Sequence, residues 1–374
     1  MANDFSITPW KVEGTVDYDV FLKDSGISKI DDQLKTRIAK YTGASHFMIR
    51  REIYYAHRDL NWLLDQYEKG NPFYIFTGRG PSGGMTIGHL MPFMLAQWLQ
   101  EKFGVDVYIQ ISDEEKYLSK KDPNVTLEDI HKIGYENMLD IVSLGFKQSK
   151  TKVFFDTDNA KTLYKNAVRV AKHITFSTVK DAFGFGNDMN IGLIFYTSMQ
   201  AAPAFLKSVE EHKNVPCLVP LAIDQDVHLR LARDVAPKLG YYKPALIHSK
   251  FLPGLDGSSK MSSSDKNNTI YLTDTEDEVR AKINRALTGQ QATAELQKKY
   301  GGNPDKCVVC QYYKYFFEPD DRKLNEIFEA ERNGSMLAGE HKKHLADTIN
   351  AFLKKHRQKK EIYRKKIDKY IVVD

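Results

Sequence analysis

Two polar segments of this chain carry residue types and spacings suited to phosphate chemistry. The first is "TGRGPSGGMTIGHL" (77–90), which joins a short apolar run to a helical pattern. A turn of this kind collects backbone N–H groups and a helix N-terminus at the carboxyl end of a strand, where phosphate binds well. Three chemistries compete for it. Gly78, Gly80 and Gly83 spell G-x-G-x-x-G, but a dinucleotide fingerprint wants a helix opening directly and an acid at the end of the next strand. Pro81 and the following "GGMT" delay the helix, and the next strand ends in Gln110, Ile111 and Ser112. Gly78 and Gly83 also have P-loop spacing, yet Gly84-Met85 stands where Lys-Ser/Thr is required, so the phosphate-binding lysine is missing. In the third reading, Thr86-Ile87-Gly88-His89 is a nucleotide-binding tetrapeptide. Gly88 then lets adenosine approach the backbone, and His89 faces the ribose and phosphates. The second segment is the loop "GSSKMSSSDKNN" (257–268). Lys260 and its serines offer a cation and hydroxyl donors to a leaving pyrophosphate. Taken singly, the tetrapeptide also reads as a capped helix with a buried histidine, and the loop as a flexible linker.

These segments need elements to hold them. "PFYIFTG" (72–78), "VDVYIQIS" (105–112), "TKVFFD" (151–156), "VPCLVPLAI" (215–223) and "ALIHS" (245–249) read as five buried strands. Helical patterns lie between them at 86–104, 126–145 and 224–239. That alternation predicts a Rossmann-like α/β fold with a parallel sheet and helices on both faces. Residues 157–214 read as wholly helical and too long for a simple crossover, so they form an insertion. Before the sheet, residues 1–70 read as an extension with a hairpin, a helix near 31–41 and a helix near 50–69. After about residue 266 the strand signal fades. The stretch 273–287 has acids in its first turn and bases later, as a helix dipole prefers. The organisation is therefore an α/β domain over 71–265 and an all-α domain over 266–374.

Composition limits the class. The 374 residues are 42% hydrophobic and 28% charged, which is too apolar for a disordered chain. Three cysteines exclude a disulfide scaffold and suggest a reducing compartment. No basic-then-apolar leader opens the chain, and no apolar run nears the roughly 20 residues of a membrane helix. A cytoplasmic protein without membrane association is expected. The net charge of +5 conceals an asymmetry. From His341 to Tyr370 there are 11 Lys and Arg against 3 Asp and Glu. Such a stretch suits a polyanion partner, or else forms a solvated helix face.

With both polar segments present at the expected places, the chain resembles class I aminoacyl-tRNA synthetases. "TIGH" resembles their "HIGH" signature, and Lys260-Met261-Ser262-Ser263-Ser264 their "KMSKS". Longer stretches are similar to tryptophanyl-tRNA synthetases of the eukaryotic and archaeal branch. They include "HRD" (57–59), "PFYIFTGRGPSGG" (72–84), "IQISDEEKYL" (109–118), "QAAPAF" (200–205) and "AIDQDVHLRLARDVAPKLGYYKPALIHSKFLPGLDG" (222–257). The resemblance implies that L-tryptophan and ATP, with Mg2+, form tryptophanyl-adenylate, and that the aminoacyl group then passes to tRNA(Trp). It implies ATP contacts at Arg79, Gly80, Thr86, Gly88 and His89, a phosphate partner at Lys116, and a closing loop of Lys260, Met261, Ser262 and Ser264. Gln110 matches the position that meets the indole N–H. Glu115, Gln200 and Gln225 match positions around the α-amino group. It further implies a homodimer joined through the insertion and an anticodon-binding role for the helical half. Two positions depart from the eukaryotic pattern. Thr86 replaces a histidine, and Phe76 replaces a tyrosine whose hydroxyl helps read the indole. Phe cannot accept a hydrogen bond, so recognition shifts toward Gln110.

Cys307 and Cys310 form C-x-x-C, but the only other cysteine is Cys217 and no histidine follows until His341. A structural zinc site wants four ligands, so these read as two ordinary thiols and no metal site is expected. A tyrosyl-type synthetase and a non-catalytic RNA-binding relative are the competing readings.

Overall fold

The computed structural model describes residues 6–7, 12–14, 16–120, 122–262 and 265–374. The Thr8–Trp10 stretch, Ser263 and Ser264 lie outside them. In chain order the strands are β1 (Ser6–Ile7), β2 (Val12–Glu13), β3 (Ser28–Lys29), β4 (Tyr54–Arg58), β5 (Tyr74–Arg79), β6 (Val107–Ile111), β7 (Thr151–Phe155), β8 (Cys217–Ala222) and β9 (Ala245–Ser249). β1 and β2 pair as the hairpin read from sequence. The other seven form one sheet in the order β3-β4-β9-β8-β5-β6-β7.

The five strands read from sequence are the parallel part, β9-β8-β5-β6-β7. β3 and β4 add an antiparallel edge, with β4 on β9. The helix expected over 50–69 is therefore wrong in its first half. A helix occupies only Leu60–Glu68. Ile53, Tyr54, Tyr55 and Ala56 are each at most 2% exposed, and a run buried on both faces favours a strand. Two helices were not foreseen, Tyr18–Ser25 and Asp113–Ser119. The first is capped by Asp17, whose carboxylate accepts from the N–H groups of Asp19 and Val20.

Strand alternation sorts the core into two faces. Ile75, Val107, Ile109, Ile111, Val153, Phe155, Leu218 and Ile247 point to one face. Helices Met91–Phe103 and Leu127–Val142 cover it, and the C-terminal helix Ala338–Arg364 joins the same core through Leu345, Ile349 and Leu353. Tyr74, Phe76, Tyr108, Phe154, Val219 and Leu221 point to the other face, under Leu163, Tyr196 and Phe205 of the insertion. The insertion is helical throughout its main elements, at Ala160–Ala171, Phe176–Phe183, Ile191–Ala201 and Leu206–Glu210. Gln110 follows Tyr108 by two residues, so the period of two aims it at the insertion side as well.

The sheet edge at β7 is covered by the chain terminus. Val153 N–H donates to Tyr370 O at 2.8 Å, and Val372 N–H to Val153 O at 2.9 Å. Short pairing of this kind blunts an edge that would otherwise template aggregation.

Candidate active site

After β5 and its neighbour β6, the chain goes on to β7 and returns to the other side of β5 at β8. At such a reversal the connections leave in opposite directions and open a crevice at the carboxyl ends. A cleft of about 410 Å3 lies there. Phe76, Arg79, Gly80, Thr86, Gly88, His89, Gln110, Glu115, Lys116, Gln200, Gln225, Lys260, Met261 and Ser262 all line it. Ser264 lies outside the described residues. Residues 184 positions apart in sequence, Phe76 and Lys260, thus face one cavity because the five parallel strands, and the loops that follow them, meet at the same edge of the sheet.

The glycines of the β5 turn allow close approach. A Cβ on Gly80 would lie 2.2 Å from Lys116 Cε and 2.6 Å from Glu115 Oε2. A Cβ on Gly78 would lie 3.0 Å from Gln110 O and 3.1 Å from Gln110 Cβ. Glycine at both positions lets Gln110 of β6 and Glu115 and Lys116 of the helix after it pack over the end of β5.

His89 is oriented by Thr86. The Thr86 N–H donates to His89 Nδ1 at 3.0 Å, and the Thr86 hydroxyl lies 3.2 Å from the same nitrogen. An accepting Nδ1 leaves the proton on Nε2. Burial, reinforced by the charges of Arg79, Lys260 and Lys116, holds the imidazole well below its usual pKa. His89 is a neutral N–H donor. Arg79 Nη2 is buried without a hydrogen-bond partner. Burial lowers the Arg79 pKa to about 10, which leaves it charged at neutral pH. A buried, charged donor without an acceptor suits an anion.

The two polar motifs are physically joined. Ile87 N–H donates to Ile270 O at 3.1 Å and Leu272 N–H to Met85 O at 2.9 Å. Met261 N–H donates to Leu252 O at 2.7 Å, and its sulfur lies 3.6 Å from where a Cβ on Gly88 would sit. Lys260 Nζ rests 2.6 Å from Asp224 Oδ2 and 4.9 Å from the centroid of the Phe251 ring.

On the insertion side, Gln110 Nε2 donates to Asp156 Oδ2 at 2.7 Å. Glu115 is held between Lys116 Nζ at 2.5 Å and Ser112 Oγ at 3.3 Å. Tyr196 donates its hydroxyl to the side-chain oxygen of Gln200. Gln225 sits half-buried at the end of the turn Ile223–Gln225 after β8. Phe76 is 1% exposed and presents only ring carbon.

A family model for class I tRNA synthetases of the tryptophan and tyrosine type matches residues 68–354. A tryptophan–tRNA ligase from Sulfolobus acidocaldarius is 48% identical over 364 residues, covering 96% of this chain and 93% of its own. The chain belongs to the class I tryptophan–tRNA ligases. Solved relatives of this synthetase agree. The tryptophanyl-tRNA synthetase of Plasmodium falciparum superposes with a TM-score of 0.87 at 42% identity, covering 92% of this chain and 94% of that one. That of Encephalitozoon cuniculi, bound to tryptophan, gives 0.88 at 36%, covering 96% and 98%.

Two acids of the synthetase escaped the sequence reading. Asp156 orients Gln110, and Asp224 holds Lys260. Both directly follow the apolar runs of β7 and β8, and an acid closing a buried strand was the available signal. Cys307 and Cys310, read as two ordinary thiols, have company that their spacing did not show. The fold carries His341 and Glu331 to them, with one ligand atom of each of the four within 4.8 Å of the others.

Proposed function

We propose that this cleft joins L-tryptophan to ATP, giving tryptophanyl-adenylate and pyrophosphate, and that the aminoacyl group then passes to the 3′ end of tRNA(Trp). The observation that carries this reading is the meeting of His89 and Lys260 in one cavity with Gln110 and Glu115. The substrate carboxylate is the nucleophile of the first step, so the chain supplies alignment and charge stabilisation. Arg79 and Lys116 meet the phosphates. His89 donates its Nε2–H to the ribose or phosphate oxygens, and Gly88 gives adenosine room. Lys260 leaves Asp224 for the departing pyrophosphate. Met261, Ser262 and Ser264 close over the nucleotide. Gln110 accepts the indole N–H through its amide oxygen, because its Nε2 is turned to Asp156. Glu115 with the oxygens of Gln200 and Gln225 receives the α-ammonium.

The two carboxylates lining the cleft, Glu115 and Asp224, are each paired with a lysine. They make no ready cage for Mg2+, which prefers substrate phosphates with one or two free carboxylates. Mg2+ therefore enters as the counter-ion of ATP, and no step here runs through a protein-held metal.

The helical half receives tRNA. Lys354, Lys355, Lys359, Lys365 and Lys366 are exposed, whereas Arg357, Lys360 and Arg364 are engaged within the chain. About half of the basic stretch is thus a solvated face, and the rest fastens the helix to the body. The insertion exposes Tyr164, Val168, Phe176 and Ile191. An apolar face of that kind fits the homodimer contact, which light scattering tests directly. Among the described residues no helix is long and apolar enough to cross a membrane.

The deciding experiment is amino-acid-dependent ATP–pyrophosphate exchange with tryptophan, tyrosine and phenylalanine. Exchange with tryptophan alone, lost in Lys260→Ala, is the expected result. Exchange with tyrosine would overturn the pocket assignment, and none with any of them the catalytic one.

A further inference from the structure

Away from the cleft, three helices of the helical half converge on one buried point. Cys307 and Cys310 flank the start of helix Val308–Tyr312, Glu331 ends helix Asp321–Arg332, and His341 opens helix Ala338–Arg364. Cys307, Cys310 and Glu331 are 0% exposed and His341 is 1% exposed. Two thiols, one carboxylate oxygen and one ring nitrogen lie within 4.8 Å of one another.

The surroundings are built to keep them there. Gln290 Nε2 donates to Glu331 Oε2 at 2.7 Å, and His341 Nδ1 lies 3.1 Å from the same oxygen. The His341 ring stacks on Tyr313, with centroids 5.8 Å apart. Gln297 Nε2 and Gly302 N–H both donate to Glu331 O, at 3.1 and 2.8 Å. Glycines let the loops press together. A Cβ on Gly301 would sit 1.6 Å from Arg332 O, and one on Gly334 2.0 Å from Gln297 O. Despite this packing, Glu331 Oε1 and His341 Nε2 are buried without hydrogen-bond partners. Orphaned polar atoms beside two buried thiols call for a further partner.

We propose that Cys307, Cys310, Glu331 and His341 bind one structural Zn2+. Thiolate, imidazole and carboxylate are zinc's usual donors, and four ligands close its tetrahedral shell. With bonds of about 2.0–2.3 Å, such ligands stand roughly 3.3–3.8 Å apart. Separations of at most 4.8 Å therefore close with side-chain shifts of about 1 Å. The thiols release their protons to solvent as the metal binds. The metal joins three helices of one domain and sits apart from the catalytic cleft, so its role is to staple the helical half rather than to react. The rival arrangement is a metal-free Glu331–His341 ion pair beside two thiols.

The full-length protein, purified from zinc-supplemented growth without chelator, is expected to retain one zinc per chain by elemental analysis. Chelator-stripped protein titrated with Co2+ should develop the absorption of tetrahedral cobalt–thiolate, discharged by Zn2+. This needs no variant and so does not depend on a mutant folding. Cys307→Ser and Glu331→Gln should each weaken retention at least about tenfold, while Cys217→Ser, in β8, should leave it unchanged. A parent protein that holds no zinc and stays colourless with Co2+ would overturn the proposal in favour of the ion pair. So would a Cys217→Ser variant as deficient as Cys307→Ser.

Discussion

The side-chain amide of Gln110 donates to Asp156 Oδ2 at 2.7 Å, and this bond leaves the amide oxygen of Gln110 as the acceptor facing the cleft. Asp156 is itself pushed up in pKa by burial and by the nearby Glu114 carboxyl. A protonated or shared carboxyl still accepts from Gln110 through Oδ2, so the orientation persists at neutral pH. Phe76 offers no polar atom to share this work. Gln110→Ala should therefore lower kcat/KM for tryptophan by about 10–100-fold, the equivalent of about 1–3 kcal/mol for an unsatisfied buried group. The KM for ATP should change little. Asp156→Ala should act in the same direction through loss of orientation. Steady-state pyrophosphate exchange with each substrate varied in turn checks both, and equal losses for tryptophan and ATP would contradict the assignment.

On the proposed mechanism Lys260 has two partners in sequence, and its ion pair with Asp224 competes with pyrophosphate for the same ammonium. Lys260→Ala should reduce exchange by about 10²–10³-fold, as for loss of one preorganised electrostatic donor. Asp224→Asn should instead lower the KM for ATP by about twofold to fivefold, because an ion pair whose lysine is partly exposed contributes about 0.5–1 kcal/mol. A raised KM in Asp224→Asn would show that Asp224 aids binding rather than competing with it.

Neutral His89 makes a testable pH statement. Since burial already keeps it unprotonated, exchange should show no inflection from His89 near pH 6.5, the usual imidazole range. His89→Gln, which keeps an N–H donor, should retain more activity than His89→Ala. Equal losses in the two variants would remove the donor role.

A second histidine reports on stability. Burial, aided by the charge of His248, lowers the His57 pKa to about 4, and its Nδ1 accepts from Leu60 N–H at 3.2 Å. Unfolded, the ring titrates near 6.5. The unfolded chain therefore binds more protons between these values, and the stability due to His57 is complete above about pH 6.5 and lost as pH falls toward 4. The unfolding free-energy advantage of the parent over His57→Gln should shrink by up to about 1.4 kcal/mol per pH unit in that window. Urea melts of both proteins at several pH values check this, and a constant difference would refute it.

The exposed lysines of the last long helix should affect only the tRNA step. Lys354→Glu with Lys355→Glu should raise the KM for tRNA and reduce its salt dependence, by a slope of roughly 0.7–0.9 for each phosphate the variant no longer neutralises. Pyrophosphate exchange should be unchanged. Arg364→Ala should act differently, through stability, since Arg364 makes paired bonds to Glu136 at 2.7 and 3.1 Å.

Much of this protein could be read from residues in order. The short apolar runs of β5 to β9 and the helical spacing between them report local burial, which length and period encode directly. The Gly-rich turn and the Lys260 loop were legible for a similar reason, since each is a contiguous segment whose backbone and side chains do the work together. The strand β4 was not, because Tyr54–Arg58 ends in His57 and Arg58 and runs with a single intervening residue into the helix at Leu60, so no continuous apolar run set it apart. Asp156, Asp224 and the company of Cys307 were not legible either. Each acquires its partner across 36 to 46 residues in the cleft, or 24 to 34 in the helical half, and such pairings depend on which strand ends and loops the packed sheet brings side by side. Sequence by itself determined the chemistry available. Only the tertiary structure decided which donors are already committed and which remain to meet a ligand, because that depends on burial and on neighbours that no local pattern records.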